Sequence, residues 1–223
     1  MKRIGIIGGL SPESTAYYYR EFIRVSRELF ELGAYPELIV YNLNFREFSK
    51  NPKGWDGRKE MLIDAGKRLR KAGAEILGIS ANTPHIVFPE VEKEVGGKWV
   101  SIIDAVGSEA KRMGAKKVLL LGTKTTMTMP FYREALERMG ISVEVPGQER
   151  IEEIDRIIRE ELMFEDLRSK GYLVELIESY RVDAVILGCT ELPLAIKEGD
   201  VSIPVLDSTK IHIREMVKKA SEN

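Results

Sequence analysis

The chain has 223 residues, enough for one large domain or two small domains that each bury a core. Its 34 basic and 35 acidic residues leave a net charge of -1, which excludes the positive charge excess that nucleic-acid binding requires. No apolar run approaches the roughly 20 residues of a membrane helix, and the apolar stretch after Met1-Lys2-Arg3 is too short for a signal peptide, so we expect a cytoplasmic protein without membrane contact.

Short β-branched or apolar runs alternate with long amphipathic stretches along the chain, which is typical of βαβ units in parallel sheets. The predicted strands, in order, are Arg3 to Ile7, Leu38 to Tyr41, Glu75 to Ser80, Trp99 to Ile103, Lys117 to Leu121, Ser142 to Val145, Ala184 to Leu187 and Ile203 to Leu206. The predicted helices are Glu13 to Phe30, Asp56 to Lys71, Ala105 to Met113, Pro130 to Met139, Glu152 to Leu167, Tyr172 to Tyr180 and Thr209 to Ala220. The pattern predicts the α/β fold class.

A faint internal repeat relates the two halves of the sequence. Three segments recur in the same order: Lys2 to Gly8 resembles Lys116 to Gly122, Gly73 to Thr83 resembles Arg181 to Glu191, and Val100 to Asp104 resembles Ser202 to Asp207. The repeat predicts two similar Rossmann-like halves that face each other across a cleft. A chance likeness between any two βα units is the alternative interpretation.

Four loops follow predicted strands and combine small residues with hydroxyl or amide side chains. They are Gly8-Gly9-Leu10-Ser11, Ala81-Asn82-Thr83-Pro84-His85, Gly122-Thr123-Lys124-Thr125-Thr126 and Gly188-Cys189-Thr190-Glu191. Because ligands of parallel sheets bind at the carboxyl ends of the strands, these loops predict a site for a small carboxylate. The glycine pattern for a dinucleotide and the Gly-Lys-Ser/Thr pattern for a phosphate are both missing from the sequence, so neither cofactor is expected.

Cys189 is the single cysteine, so an internal disulfide is excluded, and the two histidines have no close partner for a metal site. A helix beginning at Thr190 would lower the pKa of the thiol toward a working thiolate; a buried structural cysteine is the alternative. His85 is interpreted as a carboxylate donor or acid, or else as a helix cap. Arg46 is interpreted as a clamp for a second carboxylate, or else as an exposed surface residue.

Together these loops resemble the aspartate/glutamate racemase family over nearly the whole chain, most specifically through Gly188-Cys189-Thr190-Glu191 and Asn82-Thr83. The resemblance implies two α/β domains related by a pseudo-two-fold axis, residues 1-98 with 207-223 and residues 99-206, with the site between them. It also implies a homodimer and an amino-acid racemase that needs neither pyridoxal phosphate nor metal. Cys189 would be the catalytic thiol, and the substrate-binding residues would be Ser11, Arg46, Asn82, Thr83, Thr126 and Thr190, with Arg46 holding the substrate side chain.

The chain departs from this family at Ala81, where the family carries its first catalytic cysteine. The repeat places Ala81 opposite Cys189, and a methyl group transfers no proton. Ser80, Thr83, His85 or an ordered water are the candidates for that face. Some relatives with similar first loops carry threonine at this position.

Two alternatives to racemisation follow from this departure. Arylmalonate decarboxylases resemble the same fold and keep a single cysteine, which protonates one face after carbon dioxide leaves. A catalytically weak carboxylate-binding homologue is the other alternative. A further departure is Met163, which stands where aspartate racemases place a lysine, and it predicts weak selectivity for aspartate.

Overall fold

The computed structural model describes residues 1-222, which form eight strands and eleven α-helices. The strands are β1 (Ile4–Gly8), β2 (Leu38–Asn42), β3 (Ile76–Ile79), β4 (Lys98–Trp99), β5 (Lys117–Gly122), β6 (Ser142–Glu144), β7 (Ala184–Gly188) and β8 (Val205–Asp207). The helices are α1 (Pro12–Leu29), α2 (Phe45–Ser49), α3 (Gly54–Lys71), α4 (Phe88–Val95), α5 (Ile102–Arg112), α6 (Lys124–Thr128), α7 (Pro130–Arg138), α8 (Gln148–Glu160), α9 (Lys170–Glu178), α10 (Leu192–Ala195) and α11 (Ser208–Ser221). Two 3-10 turns occupy Thr83–Val87 and Leu162–Phe164.

The strands form two four-stranded sheets with the same topology. The first sheet has the order β2-β1-β3-β4, the second has the order β6-β5-β7-β8, and every neighbouring pair is parallel. β1, β3 and β7 are buried at every position, because helices cover both faces of a parallel sheet and its strands are therefore apolar throughout. The predicted α/β fold class with two similar halves is confirmed.

The strand registers show which parts of the sequence repeat are structurally equivalent. Ile7 lies opposite Ile79 in the first sheet, and their repeat partners Leu121 and Leu187 lie opposite each other in the second. The first two predicted matches are therefore in register. The third match is not in register, because it aligns Val205 of β8 with Ile102. Ile102 begins α5, after β4 has already ended.

The chain divides into two compact units. One contains residues 1-102 and the described chain from His212 onward, and the other runs from Ile103 to Ile211. Each has an apolar core of its own, including Leu62 and Leu77 in the first unit and Leu119 and Leu187 in the second. Within residues 1-222, no helix combines the length and the apolar character that crossing a membrane requires.

Two predicted elements end earlier than the apolar pattern suggests. The helix predicted from Glu152 to Leu167 stops at Glu160, because Glu161 leaves the helical conformation with φ -122° and ψ -67° and buries its carboxylate against Arg156 at 2.9 Å. The strand predicted from Trp99 to Ile103 is only β4, since Ile102 already begins α5. Buried helices and buried strands both favour apolar runs, so composition alone does not mark these ends.

Candidate active site

In the first unit, the predicted binding residues follow three adjacent strands. Gly8 at the end of β1 lies opposite Asn42 at the end of β2, and β3 flanks β1 on its other side. The loops after these strands carry Ser11, Arg46, Asn82 and Thr83. Because parallel strands end at one edge of the sheet, the four predicted residues of this unit belong to one cluster of loops.

The loop after β1 is shaped by a contact between two stretches of backbone. Gly9 has φ +77°, and a Cβ at this position would lie 2.2 Å from the carbonyl oxygen of Leu43. Only glycine fits, because both the conformation and the space exclude a side chain. The sequence predicts that the glycines of this loop let a ligand approach the backbone. In the structure, the space beside the Gly9 backbone is filled by the backbone of Leu43.

Ser11 begins α1 as its N-cap. Its hydroxyl accepts the backbone N–H of Ser14 at 3.1 Å, and the Ser14 hydroxyl donates to the Ser11 carbonyl at 2.9 Å. Ser11 is 4% exposed. The predicted binding residue therefore has a structural role at the start of an 18-residue helix.

Asn82 and Thr83 lie at the start of a 3-10 turn, and hydrogen bonds of His85 connect this turn to the rest of the unit. Asn82 is 3% exposed and Thr83 is half-buried. The His85 ring donates from Nδ1 to the Ala81 carbonyl at 3.0 Å, while Nε2 accepts the N–H of Ile102 at 3.1 Å. Burial, with a smaller effect of His212, lowers the pKa of His85 to about 3, so the interpretation of His85 as an acid is wrong.

The other candidate residues of the first unit are Arg46, Ala81 and Ser80, and their surroundings differ. Arg46 is exposed on the five-residue helix α2, and its guanidinium pairs with no carboxylate among residues 1-222. Ala81 is half-buried. The hydroxyl of the neighbouring Ser80 donates to the Ile7 carbonyl at 3.0 Å and is fully buried. Ser80 is thereby a sheet contact, which leaves Thr83 or a water as the candidates for a proton donor on the Ala81 face.

In the second unit, glycines allow a threonine to pack over the ends of β5 and β7. Gly122 lies opposite Gly188, and a Cβ at Gly122 would lie 3.0 Å from the Gly188 carbonyl and 3.1 Å from Cγ2 of Thr126. Thr126 is fully buried and its backbone N–H donates to Oγ1 of Thr123, the N-cap of α6. The structure therefore places Thr126 beside the backbone that leads into Cys189.

Cys189 directly follows β7 and is 8% exposed. Its Sγ donates to Oε2 of Glu191 at 2.9 Å, and the same oxygen accepts the hydroxyl of Thr190 at 2.8 Å. Burial raises the pKa of the thiol well above its ordinary value, and the negative charge of Glu191 raises it further. The resting side chain is a thiol.

The predicted lowering of the thiol pKa is wrong for a geometric reason. The expected helix at Thr190 is the four-residue α10, which begins only at Leu192. A single turn that starts three residues beyond the sulfur offers little of the dipole that stabilises a thiolate. Burial and the adjacent carboxylate therefore determine the protonation state.

Two carboxylates near the thiol have no role in the sequence-based prediction. Glu191 contacts the sulfur directly, and Asp155 of α8 acts on it through its charge. Asp155 also accepts the backbone N–H of Lys124 at 2.7 Å and thereby holds the start of α6. Glu191 could have been predicted from the sequence, because it belongs to the motif around Cys189. Asp155 could not, because it is distant from Cys189 in sequence and comes close only through folding. Among residues 1-222, no group of three or more histidine, cysteine or acidic side chains is placed to hold a metal ion.

Comparisons with known proteins identify the family of the chain. The family model described as Asp/Glu/Hydantoin racemase matches residues 7-216. An aspartate racemase homologue from Pyrococcus horikoshii OT3 is 57% identical, with a TM-score of 0.93 and full coverage of both chains. The Picrophilus torridus aspartate racemase is 26% identical, with a TM-score of 0.77 over 100% of this chain and 96% of that chain.

A curated relative comes from a bacterium. The broad specificity amino-acid racemase RacX of Bacillus subtilis (strain 168) is 23% identical over 211 residues, covering 92% of each chain. The family match spans far more than half of the sequence. The chain belongs to the Asp/Glu/Hydantoin racemase family and is an isomerase that acts on amino acids.

Proposed function

We propose that the protein moves the α-proton of an amino acid through the thiol of Cys189, without pyridoxal phosphate or a metal ion. The thiolate would break the Cα–H bond and form S–H, and the electron pair would stay on the substrate carbon and its carboxylate. The supporting observation is that the single cysteine of the chain is buried at the carboxyl end of β7, hydrogen-bonded to a carboxylate. An α-proton is a weak acid, so the developing negative charge needs hydrogen-bond donors around it.

The proposed substrate contacts come from both units. Asn82, Thr83, Thr126 and Thr190 would hold the α-carboxylate and the amino group, together with Ser11. Arg46 would hold the substrate side chain, since its guanidinium is exposed and pairs with no carboxylate of residues 1-222.

The proposed substrate range is broader than aspartate alone. The negative charges of Glu191 and Asp155 act on the Cys189 thiol, so a second carboxylate close to the sulfur would be repelled by them. Met163 lies in the 3-10 turn that packs on α10, next to the cysteine loop, and offers no positive charge. The name of the broad specificity relative from Bacillus subtilis supports the same proposal.

The test is a screen of L- and D-amino acids in deuterated water that follows α-proton exchange and enantiomer conversion separately. With one thiol, we expect deuterium to enter with retention of configuration faster than inversion occurs. A protein that only binds carboxylates would show thermal stabilisation by the ligand and no exchange. Absence of exchange with every amino acid would overturn the proposal.

One-thiol decarboxylation is a second candidate, favoured by Ala81 and the single cysteine of the chain. In that reaction carbon dioxide would leave a substituted malonate and Cys189 would protonate one face of the product. Release of carbon dioxide from arylmalonates, without exchange of amino acids, would identify this activity.

We also propose that the protein acts in the cytoplasm as a homodimer. Both statements rest on the resemblance to the racemase family, and sedimentation at micromolar concentration tests the second. A monomer that exchanges substrate at full rate would contradict a functional dimer.

A further inference from the structure

Arg46 lies on a helix that is too short to be stable by itself. α2 has five residues, whereas helices shorter than about 12 residues are marginal in water without tertiary contacts. At its start, Oδ1 of Asn44 accepts the backbone N–H of Arg46 at 3.1 Å and that of Glu47 at 3.3 Å. The conformation of α2, and with it the place of Arg46, therefore depends on contacts with the rest of the first unit.

The end of α2 is held by Arg58 of α3. Its Nε donates to the Phe48 carbonyl at 3.0 Å, and its Nη2 donates to the Ser49 carbonyl at 2.6 Å. The last carbonyls of a helix lack their usual partner within it, and the helix dipole also favours a cation at this end. Arg58 thus supplies hydrogen bonds and charge where α2 needs them.

Aromatic rings hold the Arg58 guanidinium in place. Its central carbon lies 4.8 Å from the centre of the Trp55 ring and 5.9 Å from the centre of the Phe48 ring. Phe48 is 7% exposed and belongs to the apolar core of the first unit. A planar guanidinium can stack on a ring and donate to two acceptors in a fixed fork, which a lysine ammonium cannot do. Arg58 is therefore held by packing as well as by its two hydrogen bonds.

We propose that Arg58 is a positioning residue for Arg46 and thereby determines how strongly the protein selects amino acids with an acidic side chain. Arg46 contacts the substrate carboxylate, and Arg58 holds the helix that carries Arg46. A bidentate contact between arginine and carboxylate depends on orientation, so a displaced α2 weakens it. The inference rests on the role of Arg46 in the proposed function.

The test measures the binding of racemic aspartate and racemic asparagine to the full chain by titration calorimetry. The two ligands are similar in size and differ in side-chain charge, and turnover does not change a racemic mixture. Arg58→Met keeps an unbranched side chain and removes both donors. It should lower the preference for aspartate about fivefold, and Arg46→Ala should lower it at least about tenfold. The double variant should match Arg46→Ala, because a residue that acts only through Arg46 has no effect once Arg46 is missing.

Arg70→Met is the matched control. Arg70 belongs to the same helix and also donates to a backbone carbonyl, that of Val95 at 3.3 Å, but it lies near the other end of α3. Its removal should leave the preference for aspartate unchanged. If Arg70→Met lowered the preference as much as Arg58→Met, the effect would be a general loss of stability and the inference would be overturned.

The variants separate the inference from the proposed function. An unchanged preference in Arg58→Met, with the preference lost in Arg46→Ala, would overturn the inference alone, and so would a double variant that loses more than Arg46→Ala. If Arg46→Ala keeps the wild-type preference, the proposed role of Arg46 is wrong and the inference fails with it. If Arg58→Met does not fold, Arg58→Lys replaces it. This variant keeps the charge without the fork, so we expect a loss of about threefold, and a full preference would overturn the inference.

Discussion

Cys189 combines burial with a carboxylate neighbour, and these two features determine its chemistry at the scale of one residue. The thiol is 8% exposed, and its pKa is raised by burial first and by Glu191 second. A protonated thiol is suited to donating a proton to a carbanion, whereas proton removal requires prior transfer to an acceptor. Substitutions that change or add a single side-chain atom at Cys189 and at Ala81 therefore test the proposed reaction most directly.

Cys189→Ser replaces the sulfur by oxygen and should abolish α-proton exchange. A serine hydroxyl is a far weaker acid than a thiol, so the expected loss is on the order of a thousandfold or more. Exchange is measured by the incorporation of deuterium from solvent, and thermal unfolding checks that the variant is folded. Exchange close to the wild-type rate would show that the thiol is structural.

Ala81→Cys restores a thiol at the position that the repeat makes equivalent to Cys189. We expect the ratio of inversion to exchange to rise, because a second acid would then serve the opposite face of the substrate carbon. Chiral chromatography of the product and its deuterium content give the two rates. With the fold intact, an unchanged ratio would mean that another group already serves this face or that the two positions do not meet at one carbon.

At the scale of elements, the loops after the strands are held by contacts that leave no room for larger residues. Gly9 has its backbone against Leu43, and Gly122 has its backbone against Gly188 and Thr126. Such contacts fix the distance between neighbouring loops, so the predicted binding residues are positioned by close-packed backbone. Individual residues also determine where helices end: α8 stops at Glu160 because Glu161 leaves the helical conformation.

Gly9→Ala should destabilise the first unit by about 3 kcal/mol or more, because the added Cβ would lie 2.2 Å from the Leu43 carbonyl oxygen and the backbone would have to move. Gly33→Ala is the matched control. Gly33 has φ +89° but open space around its Cβ, so we expect only the conformational cost of about 1 kcal/mol. Urea unfolding of both variants measures the difference, and equal losses would contradict the steric explanation.

The break between α8 and the turn Leu162–Phe164 places Met163 beside α10 and predicts weak discrimination among substrates. A substrate carboxylate that lacks one charge-assisted hydrogen bond loses about 1.5 to 3 kcal/mol, or tenfold or more in affinity. Competition binding of aspartate against alanine, methionine and glutamate measures this. Met163→Lys should increase the preference for aspartate. A wild-type preference of about a hundredfold would reveal another cation that holds the second carboxylate.

At the scale of the whole molecule, each of the two histidines of the chain is buried in the first unit and connects separate segments of it by hydrogen bonds. His212 on α11 accepts from the hydroxyl of Tyr18 on α1 at 3.0 Å and donates from Nε2 to the Val100 carbonyl at 2.9 Å. His85 joins the turn after β3 to the start of α5. Burial lowers the pKa of His212 to about 4 and that of His85 to about 3, so both rings are neutral at pH 7.

Acidification should therefore weaken the fold before most carboxylates titrate. The unfolded chain binds a proton at each histidine near pH 6.5 whereas the folded chain binds it only near pH 3 to 4, so stability is full above pH 6.5 and falls as the pH falls through this window. Between pH 7 and pH 5 the expected loss is about 2 kcal/mol for each histidine. Urea unfolding at the two pH values measures it, and His212→Gln should remove about half of the slope. A flat profile would show that folding leaves the pKa of the two rings at its ordinary value, since the folded and the unfolded chain would then bind protons equally.

The sequence by itself determined the α/β class, the two similar halves and the loops that carry polar residues. These features follow from short-range patterns, since apolar periodicity and the residues that end a strand are local properties. It also pointed to Cys189, because the residues on either side of it form a specific motif. The tertiary structure decided the protonation state of that thiol, which depends on burial and on carboxylates brought close by folding, such as Asp155 from α8. It likewise decided that His85 is neutral and structural, because desolvation and the partners of both ring nitrogens are properties of the packed chain.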